Sequence, residues 1–125
     1  MQRSLTDQPL FDQGQIALLL DALGEEDLRA MLSELPAAAG QAFHKIGAAL
    51  ASNDLEEVRR LAHAFKGVAS SFGAARLAAL AREFELDASS VTSIVLRMPA
   101  LADAIDETLA ALAVVGYAPS AGAEA

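Results

Sequence analysis

The sequence RRLAHAFKGVASSFGA, residues Arg59–Ala74, gives the clearest indication of how this chain folds. Its apolar residues recur at steps of three and four, which is the spacing of one face of an α-helix. Counted from the residue before the stretch, the stripe comprises Val58, Leu61, Ala62, Phe65, Val68, Ala69 and Phe72. Gly73 is expected to end the helix. The stretch therefore predicts an amphipathic helix with one buried face.

The preceding residues, ASNDLEE, indicate where this helix begins. Asn53 with Glu56, or Asp54 with Glu57, has the spacing of a capping box, in which polar side chains satisfy free N–H groups of the first turn. The sequence leaves open which pair forms the cap.

Helical periodicity also extends toward the N-terminus. Residues 1–14 are a polar lead-in, and QIALLLDAL, residues 15–23, predicts a short apolar helix that ends at Gly24. A longer helix should follow, with a kink or local irregularity at Pro36 rather than a break into two separate elements. Its apolar stripe comprises Leu28, Leu32, Leu35, Ala39, Ala42, Ile46 and Leu50.

Two more helices are expected toward the C-terminus. The first carries Leu77, Leu80, Ala81 and Phe84 on one face. The second should be a single helix with a kink or an irregular start near Pro99. Its stripe comprises Val91, Ile94, Val95, Met98, Ala102, Ile105, Leu109 and Leu112. Residues 117–125 are small and polar, which predicts a mobile tail.

These elements predict an all-α fold. Because the connections are short, neighbouring helices should be antiparallel. We therefore expect an up-down four-helix bundle with a short extra N-terminal helix, occupying residues 15–116 as one domain.

Composition narrows the possible functions. The net charge of −8 disfavours a nucleic-acid partner, because an acidic surface repels phosphate. The chain has no cysteine, no apolar run long enough to span a bilayer and no signal-peptide pattern at its start. These features predict a cytoplasmic protein without a membrane partner, and nothing in the sequence requires more than a monomer.

His63 stands out because of the direction in which it points. It lies roughly 160° around the helix from the centre of the apolar stripe, so its imidazole should face solvent. Gly67 lies beside it on that face, Arg59 and Ser70 flank it, and Lys66 lies toward the rim. A glycine inside a helix costs about 1 kcal/mol relative to alanine, so its presence calls for a reason.

Clearance beside the imidazole of His63 would explain a glycine at position 67. Gly67 leaves room for another protein or a phosphoryl group, and the nearby cations Arg59 and Lys66 favour negative charge. Imidazole is also a competent nucleophile that can hold a group covalently. The alternative is that His63 is a plain surface residue.

The segment VRRLAHAFKG, residues 58–67, followed by Gly73-Ala74 and by Leu77 and Leu80, resembles the histidine-containing phosphotransfer (HPt) domain. The resemblance extends from about Leu28 to Glu85, and more loosely to the last helix. It implies that His63 accepts a phosphoryl group and exchanges it with aspartates of response-regulator receiver domains, including that of a hybrid sensor histidine kinase. It further implies that Lys66 orients or neutralises the phosphoryl group and that Gly67 gives steric access.

The same resemblance places a polar residue near the imidazole, which maps onto Glu85 and would fix the tautomer. It implies no cofactor or bound metal in this chain, since the Mg²⁺ of the reaction belongs to the receiver. The chain would then be a phosphoryl carrier without kinase activity, and it shows no glycine-rich phosphate loop.

Simpler interpretations remain open for most of these residues. Lys66 and Glu85 can be ordinary solvated residues at the edge of the apolar face of their helices. The hydroxyl groups of Ser70 and Ser71 can each bond back to the preceding turn of the helix. The arginines at 59 and 60 can pair with Glu56 or Glu57, and His44 is best interpreted as structural or neutral.

Two other functions compete with phosphotransfer. A helical adaptor or inhibitor could bind a kinase or receiver through the same face without being phosphorylated. A hydrolase that uses His63 and Glu85 is disfavoured, because enzymes need pockets that exclude water.

Overall fold

A computed structural model describes residues 8–86 and 89–114, and within these ranges the chain is helical, with no strand. The helices are α1 Gln13–Leu23, α2 Glu25–Leu32, α3 Leu35–Ala51, α4 Leu55–Ser71, α5 Ala75–Leu86, α6 Val91–Val95 and α7 Met98–Val114. The all-α prediction is confirmed. The predicted tail, residues 117–125, lies outside the described residues.

The helix predicted across Pro36 is two helices, so the prediction of a single kinked element was wrong. A turn at Ser33 and Glu34 separates α2 from α3, and Pro36 occupies the first turn of α3. Proline has no N–H group and its ring clashes with the carbonyl four residues earlier, but neither matters in a first turn. The proline therefore marks the start of α3, and the apolar period continues across the turn between α2 and α3.

Pro99 also lies in the first turn of a helix, near the C-terminus. The residues predicted as one helix form the short α6 and the long α7, and Pro99 is the second residue of α7. The prediction of one continuous helix was wrong, whereas the irregular start near Pro99 is confirmed. The side chain of Ser90 caps α6 by accepting a hydrogen bond from the N–H of Ser93 at 3.1 Å.

The core lies mainly between four of the helices, and side chains of α2 and α6 complete it. Helix α3 packs on α4, α4 on α5, α5 on α7, and α7 on α3. The largest fully buried side chains are Phe84, Leu28, Leu32, Leu35, Ile46, Leu77, Leu80, Ile94, Leu101, Leu112, Val58 and Thr108. The hydroxyl of Thr108 donates to the carbonyl of Ala104 at 2.7 Å, so this buried polar group is satisfied.

Helix α4, which carries the candidate site, is fixed at both ends. Asp54 is its N-cap, and its carboxylate accepts a hydrogen bond from the N–H of Glu57 at 3.1 Å. After Phe72 the chain turns at Gly73, whose φ of 71° lies in the left-handed region that favours glycine. This turn leads directly into α5 and sets which α5 residues lie beside α4.

The buried face of α4 follows the predicted stripe with one exception. Val58, Ala62, Phe65, Ala69 and Phe72 are buried and Leu61 is half-buried, whereas Val68 is 38% exposed. None of the helices in the described ranges is both long and apolar enough to cross a membrane.

Candidate functional site

The outer face of α4 presents His63 to solvent, as the helical period predicts. Its side chain is 65% exposed. An imidazole this open is not in a pocket that excludes water, which is what a hydrolase would need. It is open instead to a macromolecular partner.

Glu85, at the end of α5, holds both His63 and Lys66. One carboxylate oxygen, Oε2, lies 2.8 Å from Nδ1 of His63, and the other, Oε1, accepts a hydrogen bond from Nζ of Lys66 at 3.2 Å. The Glu85 side chain is only 23% exposed and that of Lys66 is 30% exposed. Glu85 is therefore a bonded member of the cluster rather than a freely solvated rim acid, and Lys66 is fixed by an ion pair.

Two opposing effects act on the pKa of Glu85. Partial burial raises it, but the hydrogen bonds from Lys66 and His63, together with the charges of these two residues, lower it by more. The net pKa of Glu85 lies below its ordinary value, so the carboxylate is ionised at neutral pH.

An ionised carboxylate can only accept hydrogen bonds, which determines the proton position on His63. The proton of the contact must lie on Nδ1, the nitrogen that faces Glu85 Oε2. In the neutral ring the lone pair is then on Nε2. The site therefore presents an oriented nucleophilic nitrogen.

Gly67 leaves the space beside this imidazole open. A Cβ atom built on Gly67 would meet nothing within 4 Å. The fold therefore does not need a glycine at this position for space, and α4 continues through it with ordinary helical backbone. The open space is on the outer face of α4, on the side from which a partner would approach His63.

The remaining predicted site residues are Arg59 and Ser70. Arg59 is exposed, and its neighbour Arg60 pairs with Glu57 through a bond of 2.8 Å from Nε to Oε1. The hydroxyl of Ser71 donates to the carbonyl of Val68 at 2.7 Å, as predicted. No such bond from the hydroxyl of Ser70 is seen among the described residues.

Two further residues contact the end of α4 but were not identified from the sequence. Nε2 of Gln15 donates to the carbonyl of Ser70 at 2.7 Å, and the N–H of Asp12 donates to the carbonyl of Gly73 at 2.8 Å. Both join the N-terminal helix to the end of α4. The partners are backbone carbonyls, which carry no sequence signal.

His44, the second histidine, lies elsewhere. It is exposed on α3, and its ring meets that of Phe43 edge-on at a centroid distance of 6.3 Å. In the part of the chain that the structure describes, no three His, Asp or Glu side chains cluster closely enough to hold a metal ion.

Replacing Glu85 by Gln should change how stability depends on pH. Because the folded-state pKa of Glu85 is below its ordinary value of 4.5, its ionised form stabilises the fold fully above that pH. The contribution is lost as the pH falls through the lowered pKa. Urea unfolding at about pH 5 and about pH 3 should therefore show wild type and Glu85→Gln converging at the lower pH. An equal difference at both pH values would contradict the lowered pKa.

Comparison with known proteins bears on what this cluster does. A protein-family model described as "Hpt domain" matches residues 26–113, from the second residue of α2 to the penultimate residue of α7. Neither the curated proteins nor the solved structures gave a match. The family match contains the whole His63–Lys66–Glu85 cluster and leaves α1 outside.

Proposed function

The chain belongs to the Hpt domain family, which acts in histidine phosphotransfer in two-component signalling, and from this premise we propose that His63 carries a phosphoryl group between aspartates of receiver domains. The observation that carries the proposal is the contact between Glu85 Oε2 and His63 Nδ1 at 2.8 Å. It leaves Nε2 unprotonated in the neutral ring, and the His63 side chain is 65% exposed. A receiver of a hybrid sensor histidine kinase and that of a response regulator are the proposed partners.

The proposed transfer is a direct displacement at phosphorus. The lone pair of His63 Nε2 forms the N–P bond as the bond from phosphorus to the receiver's aspartate oxygen breaks. That oxygen leaves with the electron pair as a carboxylate. No proton needs to move, because Nε2 carries none and Nδ1 keeps its own. In the reverse direction the carboxylate attacks the phosphohistidine and the electron pair returns to Nε2.

Neighbouring side chains act on the charge that this step creates. As Nε2 gives up its lone pair, positive charge develops on the ring, and the Glu85 carboxylate at Nδ1 stabilises it. Lys66 uses one of its three donors on Glu85, which leaves two for phosphoryl oxygens. The Mg²⁺ that assists the reaction belongs to the receiver, and we propose no cofactor, metal or kinase activity in this chain.

The arrangement of helices supports this role. We propose that α3, α4, α5 and α7, which pack in a closed ring, form an up-down antiparallel four-helix bundle. Such a scaffold holds α4 rigid and displays its outer face. A monomeric state, a cytoplasmic location and the absence of a nucleic-acid partner remain predictions from the sequence.

The direct test is transfer from a loaded receiver. A panel of receiver domains, each phosphorylated on its aspartate, would be incubated with the full chain and Mg²⁺. We expect the chain to acquire label that is labile in acid and stable in base, the behaviour of a phosphohistidine. Binding to a receiver without any label, across the whole panel, would favour the adaptor function instead.

Gly67→Ala should separate folding from transfer. The added methyl meets nothing within 4 Å, so the variant should fold and gain about 0.5–1 kcal/mol in free energy of unfolding, from helix propensity. The methyl does, however, stand beside the imidazole where the receiver must approach. We expect transfer from a phosphorylated receiver to slow by about tenfold, since a 1 Å misplacement of reacting groups can cost more.

Gly40→Ala is the matched control. Gly40 is also inside a helix and also open, with nothing within 4 Å of an added Cβ, but it lies on α3. It should raise stability similarly and leave transfer unchanged. Equal transfer rates for the two variants would contradict the proposed role of Gly67.

A further inference from the structure

The side chain that faces Nδ1 of His63 can accept a hydrogen bond but cannot donate one. Oε2 of the ionised Glu85 carboxylate lies 2.8 Å from Nδ1. The other oxygen, Oε1, accepts a hydrogen bond from Nζ of Lys66 at 3.2 Å, and the Glu85 side chain is only 23% exposed, so the carboxylate is held in this position. A ring nitrogen at that distance from a carboxylate oxygen must carry a proton.

Phosphorylation of His63 does not remove this requirement. The transfer proposed above bonds phosphorus to Nε2 and leaves the proton on Nδ1, so the phosphorylated ring is positively charged. An imidazole in water titrates near pH 6.5 and is about nine-tenths neutral at about pH 7.5. In this site, loss of the Nδ1 proton would leave a lone pair facing the Glu85 oxygen at 2.8 Å. The contact therefore favours the protonated form of the phosphorylated ring.

The other charges near the ring are cations that oppose this effect. They are Arg59, Arg60 and Lys66 on α4, each about one helical turn from His63, Arg82 on α5, one turn before Glu85, and Lys45 of α3, in the groove beside Ala64. Arg60 is paired with Glu57, and its charge is offset there. Lys66 is paired with Glu85 itself. Because the energy of two charges falls with their distance and solvent screens exposed charges, the direct contact of Glu85 outweighs the cations.

Water can reach a phosphoryl group on this ring. The His63 side chain is 65% exposed, and a Cβ atom built on Gly67 would meet nothing within 4 Å. A docked receiver would cover this open face, and water would have access again after the receiver leaves. A protonated ring departs from phosphorus as a neutral imidazole, whereas an unprotonated ring would have to depart as an anion. The protonated phosphohistidine is therefore the more easily hydrolysed form.

We propose that the phosphorylated chain discharges its phosphoryl group to water when no receiver is docked, and that Glu85 sets the rate by keeping Nδ1 of the phosphohistidine protonated. This activity rests on the proposed phosphotransfer function, because His63 must first be phosphorylated. A water oxygen forms a bond to phosphorus as the bond from phosphorus to Nε2 breaks, and the electron pair of that bond returns to Nε2. Both protons of the water leave with the dihydrogen phosphate ion. The neutral ring, with its proton on Nδ1, is regenerated, and the phosphoryl group persists on His63 only briefly between partners.

The test measures the lifetime of the phosphorylated chain without a receiver. Phosphoramidate, a small phosphoryl donor, would load His63 and would then be removed by gel filtration, after which the loss of phosphate is timed at about pH 7.5. Glu85→Gln keeps the shape of the side chain, but its amide can donate to an unprotonated Nδ1. Glu83→Gln is the matched control, since Glu83 is on the same helix, is also 23% exposed and is ion-paired with Arg97 at 3.4 Å. Timing after removal of the donor makes the result independent of how fast each variant is loaded.

We expect Glu85→Gln to lengthen the lifetime by about tenfold, the ratio between a fully protonated ring and an ordinary imidazole at this pH. Glu83→Gln should behave as wild type. The ¹⁵N chemical shift of Nδ1 should show a protonated nitrogen in the phosphorylated wild type and an unprotonated one in phosphorylated Glu85→Gln. Equal lifetimes, or an unprotonated Nδ1 in the phosphorylated wild type, would overturn the inference. A His63 that accepts phosphate neither from phosphoramidate nor from any receiver would overturn the proposed function on which it rests.

Discussion

Replacing His63 by Gln is expected to abolish phosphoryl transfer and to leave the fold intact. The side chain is 65% exposed and takes no part in the core, so a change of its shape creates no cavity. Glutamine can still bond to Glu85, but its amide nitrogen has no available lone pair with which to form an N–P bond. The expected loss is at least a thousandfold, to the limit of detection, because the nucleophile itself is removed.

His44→Gln is the control for this experiment. His44 is also exposed, but it lies on α3 and outside the cluster. Wild type and His44→Gln should accept label from a phosphorylated receiver at the same rate, whereas His63→Gln should accept none. Binding of His63→Gln to the receiver should persist, since docking uses the surrounding surface. Label that persists in His63→Gln and disappears in His44→Gln would move the phosphorylation site to α3.

The sequence predicted α4 and the direction of His63 because both depend on local periodicity. A clear apolar stripe fixes which side of an amphipathic helix faces the core, and therefore which residues face solvent. The same reasoning failed at Pro36 and Pro99. A stripe that keeps its period across a proline looks the same whether the helix bends there or stops and restarts, and in both places the chain restarts.

The contact between His63 and Glu85 lies beyond what local periodicity can show. The two residues are 22 positions apart on different helices, and their meeting depends on the tight turn at Gly73 between α4 and α5. From the sequence alone, only the resemblance to the HPt domain suggested Glu85 as an orienting residue. The anchoring of α1 had no such support, since the N–H of Asp12 and the amide of Gln15 bond to backbone carbonyls.

Replacing Glu85 by Ala is expected to slow phosphoryl transfer by about a hundredfold, the size of effect seen when a residue that orients a histidine is removed. Without the carboxylate, the proton on the neutral ring is no longer held on Nδ1, and Nε2 loses its lone pair in a large fraction of molecules. Lys66 also loses its partner, so an uncompensated positive charge remains beside a ring that must itself become positive.

Glu83→Ala is the matched control, because Glu83 is on the same helix, is also 23% exposed and is also ion-paired, with Arg97 at 3.4 Å. It should leave the transfer rate unchanged. The ¹⁵N chemical shifts of His63 report its tautomer, which would not change if the role of Glu85 were only structural. At a pH where the ring is neutral, wild type should show the proton on Nδ1, and Glu85→Ala should show a mixture of tautomers or the proton on Nε2. An unchanged tautomer together with slow transfer would mean that Glu85 acts through the position of Lys66, and an unchanged rate would remove Glu85 from the mechanism.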